Sequence, residues 1–168
     1  GCSCRCNNCV QTGAMTTRYA LYFAPPPDDP LWRFGSAIIG YDAATGAELP
    51  FPDQTGSWGD WRARTEEPRR YGFHATLKAP FALLREFTEA DILTTVDRFA
   101  HAEKRFAGPE PVVAVLGNFV ALVPARVDER IGGLAARAVT TFEPFRAQLS
   151  AEARQRRLAA KLTERQVQ

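Results

Sequence analysis

The sequence predicts a mixed α+β fold built from short strands and separate helices. Short runs in which apolar and polar residues alternate predict strands, and stretches with apolar residues at helical spacing predict helices. Prolines, glycines and capping residues separate these stretches. The predicted order is strand, helix, loop, strand, helix, two strands and two helices. This order shows no internal repeat and fits the α+β class.

The first part of the chain predicts a strand, a helix and a long loop. Residues 17–23 alternate and stop at three prolines, which predicts the first strand. Residues 30–39 carry apolar side chains at helical spacing, with Asp28 or Asp29 available as the N-cap. Residues 43–64 are rich in Gly, Pro, Asp and Trp, which predicts a loop.

The next strand-like segment, residues 71–78 (YGFHATLK), contains one of only two histidines. Because side chains of a strand alternate, His74, Thr76 and Lys78 are expected on one face. Imidazole exchanges a proton near neutral pH, a hydroxyl can donate to a phosphoryl oxygen, and an ammonium offsets developing negative charge. Such a face suits phosphate chemistry without a metal. The alternative is that His74 is a half-buried strand residue with a satisfied hydrogen bond.

Residues 88–106 form the clearest helical pattern. Thr88 and Asp91 make a variant of the capping box at its start. His101 lies near its C-terminal end, where the helix dipole favours a charged imidazole. A structural role is therefore preferred over a catalytic one for this second histidine.

The remaining elements are a hairpin and two helices. Residues 112–123 are apolar and β-branched around Gly117–Asn118, which predicts two antiparallel strands and a tight turn. A helix is predicted from residue 127 to a break at Glu143–Pro144, and another over residues 150–162 with a basic side. The stripe of the first helix comprises Ile131, Leu134, Ala135, Val139 and Phe142.

Four spaced blocks together resemble the phosphonate-metabolism protein family, a domain of unknown function within the two-histidine (2H, LigT-like) phosphoesterase superfamily. They are residues 18–25, 31–36, 41–46 and 70–78. The resemblance covers most of residues 17–166. It implies two lobes, each an antiparallel sheet with outer helices, around a cleft. Each lobe of that family supplies one His-x-Thr/Ser motif, and the two imidazoles act as general base and general acid on a phosphodiester, often a cyclic one.

The resemblance implies roles for six residues of this chain. His74 would be one of the acid/base pair, and Thr76 would hold a phosphoryl oxygen. The substrate-binding candidates are Lys78, Arg33, Tyr19 and Tyr71. No metal and no cofactor is expected, and the expected partner is a small phosphorylated substrate.

This chain departs from the family pattern at the second motif. Its other histidine stands in His101-Ala102-Glu103, which lacks the hydroxyl residue. The family's second motif lies in a strand well after the helical region, where this chain ends. Residues 15–168 are therefore expected to be a C-terminally truncated 2H-like domain with an incomplete second lobe, from a fragment, a truncated product or a disrupted frame.

Residues 1–14 differ in composition from the rest. All four cysteines fall here, and the single methionine is Met15. This predicts a non-native or disordered leader ahead of a natural start. The alternative is a metal clip, in which four thiolates would surround zinc. These cysteines are Cys2, Cys4, Cys6 and Cys9.

Composition limits the function classes. The 168-residue chain is 45% hydrophobic and 24% charged, with a net charge of +2, which predicts no strong field for nucleic acid. No apolar run approaches the roughly 18 residues of a transmembrane helix, and no secretory signal is evident. A cytoplasmic protein is expected, with no membrane partner and with nucleic acid only as a small nucleotide or RNA end.

The sequence therefore predicts a metal-independent phosphodiesterase-like protein acting on a small, possibly cyclic, phosphodiester in phosphonate metabolism. Loss of one acid/base group would impair it. Two alternatives stay open. The chain can be a non-catalytic module that binds phosphate or phosphonate, or two copies can associate through an exposed sheet edge and complete the site.

Overall fold

The computed structural model describes residues 17–117 and 119–148, together with residue 155. Within them the mixed α+β class is confirmed, with small antiparallel sheets and flanking helices. The elements are β1 (Arg18–Phe23), α1 (Pro30–Ile39), β2 (Tyr41–Asp42), β3 (Ala47–Glu48), a 3-10 helix (Asp53–Trp58), α2 (Trp61–Arg64), α3 (Glu66–Arg69), β4 (Ala75–Ala82), α4 (Glu89–Ala102), β5 (Pro111–Leu116), β6 (Phe119–Pro124), α5 (Glu129–Phe142) and a second 3-10 helix (Glu143–Phe145).

Three calls fall outside the described residues. They are the cysteine-containing leader over residues 1–14, the turn residue Asn118, and the helix predicted over residues 150–162 except for Gln155, which is helical. The described helices include none that is both long and apolar enough to cross a membrane.

Several elements follow the sequence pattern closely. Asp29 caps α1 by accepting a hydrogen bond from the Leu31 amide at 2.8 Å. Thr88 and Asp91 form the reciprocal capping box at the start of α4. The hairpin of β5 and β6 closes at the predicted turn, where Gly117 has a left-handed φ of 60°.

Three boundaries differ from the prediction. Residues 43–64 are not a single loop, because they hold the β2–β3 hairpin, a 3-10 helix and α2. Helix α4 ends at Ala102 rather than 106, because Glu103 becomes extended and its carboxylate accepts two hydrogen bonds from Arg137 of α5. Val139 is exposed, since the buried stripe of α5 runs through Ala138 instead.

The described sheets are three antiparallel pairs: β1 with β4, β2 with β3, and β5 with β6. The β1–β4 pair carries the core. Helices α4 and α5 and the second 3-10 helix pack against it, and the chain then returns beside β4, where the Ala147 amide donates to the Ala82 carbonyl at 2.8 Å. The buried core comprises Leu21, Phe81, Ile92, Val96, Ala138, Phe142 and Phe145.

Strand β4 begins one residue after His74 and continues through Pro80. Pro80 therefore does not close the strand as predicted. A proline is tolerated in a two-stranded sheet because one edge of each strand is free of ladder hydrogen bonds.

The register between β1 and β4 shifts twice. Tyr22 pairs with Thr76 and Leu21 with Lys78, so one step on β1 spans two residues on β4. A bulge of this kind resets which face a side chain occupies. Thr76 is exposed, whereas Lys78 is only 5% exposed and points toward α5. The predicted common face of His74, Thr76 and Lys78 is thus broken between Thr76 and Lys78.

Lys78 connects β4 to α5. Its Nζ donates to Glu143 Oε2 at 2.5 Å and to the Val139 carbonyl at 3.2 Å, and it lies 5.3 Å from the centre of the Phe81 ring. The hydrogen bond from Lys78 lowers the pKa of Glu143, and the charges of Lys78 and Arg146 act in the same direction. A buried ammonium is held here by a half-exposed carboxylate.

We expect Glu143→Gln to destabilise the protein at neutral pH and to flatten its acid unfolding limb. Because the folded pKa of Glu143 is lowered, its charge stabilises the fold above the ordinary value of 4.5, and that stability is lost as pH falls through the folded pKa. Urea unfolding from pH 3 to pH 7 measures the effect. The exposed Glu86→Gln is the control, and equal curves for the two variants would contradict the role of the Lys78 pair.

We expect Gly35→Ala to destabilise the fold, because the added Cβ would lie 2.4 Å from the Phe73 ring. Overpacking of about 1–3 kcal/mol exceeds the helical gain of about 1 kcal/mol for Gly to Ala. Gly132→Ala in α5 is the matched control, since nothing lies within 4 Å of its Cβ position, and it should stabilise. Thermal unfolding compares them, and a gain for both variants would show that Phe73 moves freely.

Candidate active site around His74

His74 is positioned by a turn immediately before β4. Gly72 has a φ of 76° and is buried, so that an added Cβ would meet Ala43 at 2.5 Å. This left-handed backbone, which favours glycine, brings the Gly72 carbonyl to 2.9 Å from His74 Nδ1. A carbonyl oxygen only accepts hydrogen bonds, so Nδ1 must carry the hydrogen. In the neutral ring, Nε2 is then the atom that can accept a proton.

Two tyrosine rings fix the plane of the imidazole. The Tyr22 ring is tilted by 31° against it, with ring centroids 3.9 Å apart. The half-exposed Tyr71 ring approaches edge-on at 6.4 Å and 61°. Such contacts contribute about 0.5–1.5 kcal/mol per pair beyond the buried area. The imidazole is thus held by two rings and one backbone hydrogen bond.

Thr76 joins this group through the sheet. It is the cross-strand partner of Tyr22, and it is exposed. His74, Thr76, Tyr22 and Tyr71 are called the His74 cluster below. Three of its members, His74, Thr76 and Tyr71, are sequence-predicted site residues.

The other three predicted residues lie elsewhere. Lys78 is buried against α5 and bound to Glu143, so a ligand contact would require this pair to open. The Tyr19 hydroxyl lies 3.5 Å from Glu89 Oε2 of α4, and burial, followed by the Glu89 charge, raises the pKa of Tyr19. Arg33 on α1 donates to the Asp28 carbonyl. Their substrate-binding roles stay predictions.

Tyr19 lines a small cavity of about 30 Å³ between β1 and α4 rather than the surface beside His74. The walls of this cavity are mostly apolar core residues, including Leu21, Ile92 and Phe142. A space of this size holds about one water molecule. It is therefore a packing gap of the core and not a substrate pocket.

Tyr22 is a site residue that the sequence reasoning missed. The alternation of residues 17–23 already placed it on the face opposite Leu21. Pairing of β1 with the histidine strand would bring that outer face beside His74. The missing information was the register, which depends on both strands.

The basic side chains just upstream are engaged locally. Arg69 donates to the Arg62 carbonyl at 2.7 Å and to Thr65 Oγ1. Arg70 pairs with Glu66 and Glu67 at 3.5 and 3.0 Å, and all three side chains are more than half exposed. Exposed pairs contribute only about 0–1 kcal/mol, so a phosphate could displace the carboxylates from Arg70.

The second histidine is remote in role from this cluster. His101 is exposed near the end of α4, and its Nδ1 lies 2.8 Å from the Asp97 carbonyl and 3.4 Å from the Asp97 carboxylate. This arrangement agrees with a local structural role. In the part of the chain that the structure describes, no three His, Cys, Asp or Glu side chains group as a metal site.

Comparison with known proteins gives two curated relatives. The chain is 42% identical over 156 residues to a protein of Janthinobacterium sp. (strain Marseille) named ribose 1,5-bisphosphate phosphokinase PhnN, a match covering 89% of this chain. It is 37% identical over 143 residues to the protein of the same name from Laribacter hongkongensis (strain HLHK9), covering 80% of this chain. This chain spans 33% of the length of each relative. No solved structure matches.

The family comparison covers the second half of the chain. Residues 76–168 match the family described as "Protein of unknown function (DUF1045)". The match starts at Thr76, inside the His74 cluster, and takes in β4, both long C-terminal helices and the hairpin. This chain therefore belongs to the DUF1045 family of proteins of unknown function.

Proposed function

We propose that the His74 cluster binds a small phosphorylated substrate and promotes metal-independent hydrolysis of a phosphodiester. The carrying observation is the 2.9 Å contact between His74 Nδ1 and the Gly72 carbonyl. By fixing the hydrogen on Nδ1, this contact leaves Nε2 as the proton acceptor in the neutral ring. Acid/base catalysis needs a ring with a defined tautomer and orientation, and the two tyrosines supply the orientation.

The proposed step is hydrolytic. Nε2 of His74 takes a proton from a water molecule while the water oxygen bonds to phosphorus. The bond between phosphorus and the ester oxygen breaks, and the leaving alkoxide takes a proton from a second acid or from solvent. Thr76 donates a hydrogen bond to a non-bridging oxygen, where negative charge develops.

A second acid limits the rate. In an in-line displacement the attacking and leaving oxygens lie on opposite sides of phosphorus, so one imidazole does not serve both. His101 is engaged with Asp97 on α4 and does not face this cluster among the described contacts. Loss of one acid/base group typically costs about 10²- to 10⁴-fold. We therefore expect slow turnover by this chain alone.

The comparisons support the ligand class. The curated relatives are named for an enzyme of ribose 1,5-bisphosphate, a small phosphorylated sugar. Together with the resemblance to the phosphonate-metabolism branch of the 2H superfamily, this favours a phosphorylated or phosphonylated sugar as ligand. The 2H-like lobe arrangement is part of this proposal.

A binding module is the second candidate. It is favoured by the single imidazole that the described residues bring to the cluster. Holding a phosphate requires hydrogen-bond donors and positive charge but no second acid. Thr76 and a released Arg70 would supply these without turnover.

We expect His74→Ala to lower hydrolysis of cyclic and linear phosphodiesters by about 10²-fold or more, because the proton acceptor is lost. Assays with a panel of diesters in chelator measure this. The control is His101→Ala, which removes the other imidazole outside the cluster and should leave the rate unchanged. Equal rates for wild type and His74→Ala would overturn the catalytic role of His74.

Titration with inorganic phosphate and methylphosphonate, followed by NMR, separates the two candidates. Binding that is lost in Thr76→Val, together with no detectable turnover by wild type, would favour the binding module. Turnover that depends on His74 would favour the hydrolase. Turnover whose specific rate rises with protein concentration would show that a second copy completes the site.

We expect Tyr22→Leu to move the ring-proton NMR signals of His74 and to lower any His74-dependent rate by about 2- to 10-fold, because one orienting contact of about 0.5–1.5 kcal/mol is lost. Tyr22→Phe keeps the ring and should keep both the signals and most of the rate. If Tyr22→Leu leaves the His74 signals in place, the Tyr22 ring does not orient the imidazole.

A further inference from the structure

The β5–β6 hairpin has no covering partner among the described residues. Its two strands pair only with each other in that part of the chain, from Pro111↔Pro124 to Leu116↔Phe119. An isolated two-stranded hairpin is only marginally stable in water, and a third strand or a packed face is normally needed. This element therefore requires a partner.

Both faces of the hairpin expose apolar side chains. Val113 and Val115 are 72% and 73% exposed on one face, and Phe119 is 62% exposed on the other. Val120, across from Val115, is also more than half exposed. Large apolar surfaces of this kind mark interaction sites rather than ordinary surface.

The edge of β5 is open to pairing. Leu116↔Phe119 closes a two-residue turn, and the closing pair of such a turn is hydrogen-bonded across the hairpin. Since the pattern alternates, the backbone groups of Val113 and Val115 point away from β6. Natural edge strands are normally protected by charges, but residues 111–124 contain no charged side chain. Pro111 and Pro124 stand only at the ends.

We propose that β5 of one copy pairs antiparallel with β5 of a second copy about a two-fold axis, to give a four-stranded sheet. Strand β5 is favoured over β6 because it is the more exposed of the two. An isologous contact brings identical surfaces together, so it is disfavoured when the surface carries charge. An uncharged apolar strand with outward-facing amides and carbonyls meets this condition and matches itself.

The same chemistry disfavours other occupants. A surface without charge has nothing to recognise a phosphate backbone or an acidic or basic peptide. The partner must supply an extended, uncharged, apolar strand. Within the described residues the hairpin itself has this character. The inference does not depend on the proposed chemistry at His74.

The test measures self-association of the full 168-residue chain by sedimentation velocity over a concentration series. Wild type should form a dimer, and the amides of Val113 and Val115 should exchange more slowly as concentration rises. Val115→Lys should raise the dimer dissociation constant at least about tenfold, because like charges meet across the axis. Val127→Lys is the matched control, since Val127 is 96% exposed outside the hairpin, and it should dimerise like wild type.

Circular dichroism establishes that each variant is folded before it is compared. A wild-type chain that stays monomeric at all concentrations would overturn the proposal, including one that instead binds neutral phosphatidylcholine vesicles. Dimerisation of Val115→Lys with unchanged affinity, or equal loss in Val127→Lys, would also overturn it. Val113→Lys provides an independent second variant on the same edge, for which the same loss is expected.

Discussion

The irregular pairing of β1 with β4 is the constraint on which the rest of the structure depends. With Leu21 opposite Lys78 and Tyr22 opposite Thr76, one bulge separates two environments along a single strand. Before the bulge, β4 faces Tyr22 and the imidazole. After it, Lys78 and Phe81 turn toward α5. A regular ladder would have placed Lys78 with Thr76 and left α5 without its buried cation.

The stability of the core and the geometry of the candidate site are coupled through this strand. The second 3-10 helix brings Glu143 to Lys78 and Phe145 into the core, and the returning chain then binds the end of β4. Anything that loosens α5 therefore acts on the strand that begins beside His74. Effects on activity from substitutions in this region must be separated from effects on stability, which is why His101 rather than a core residue is the appropriate comparison for His74.

Local signals in the sequence were sufficient where a structure is set by neighbouring residues. The Asp29 cap, the Thr88–Asp91 box and the turn at Gly117 depend on side chains a few positions apart, and each was predicted. The position of Lys78, the end of α4 at Ala102 and the contact of Tyr22 with His74 depend on distant partners. Propensity and periodicity describe one segment at a time, so they carry no information about a bulge that exists only between two strands.

Family membership and the chemistry of the candidate site rest on different residues. The DUF1045 match begins at Thr76 and so excludes His74, Tyr71 and Tyr22. The curated relatives match most of this chain, but this chain spans a third of their length, so their printed activity belongs to proteins three times as long. The shared name therefore informs the ligand class more than the reaction. What this chain does to a phosphorylated ligand depends on a histidine whose tautomer is set by a glycine carbonyl two residues away, and on the source of the second proton.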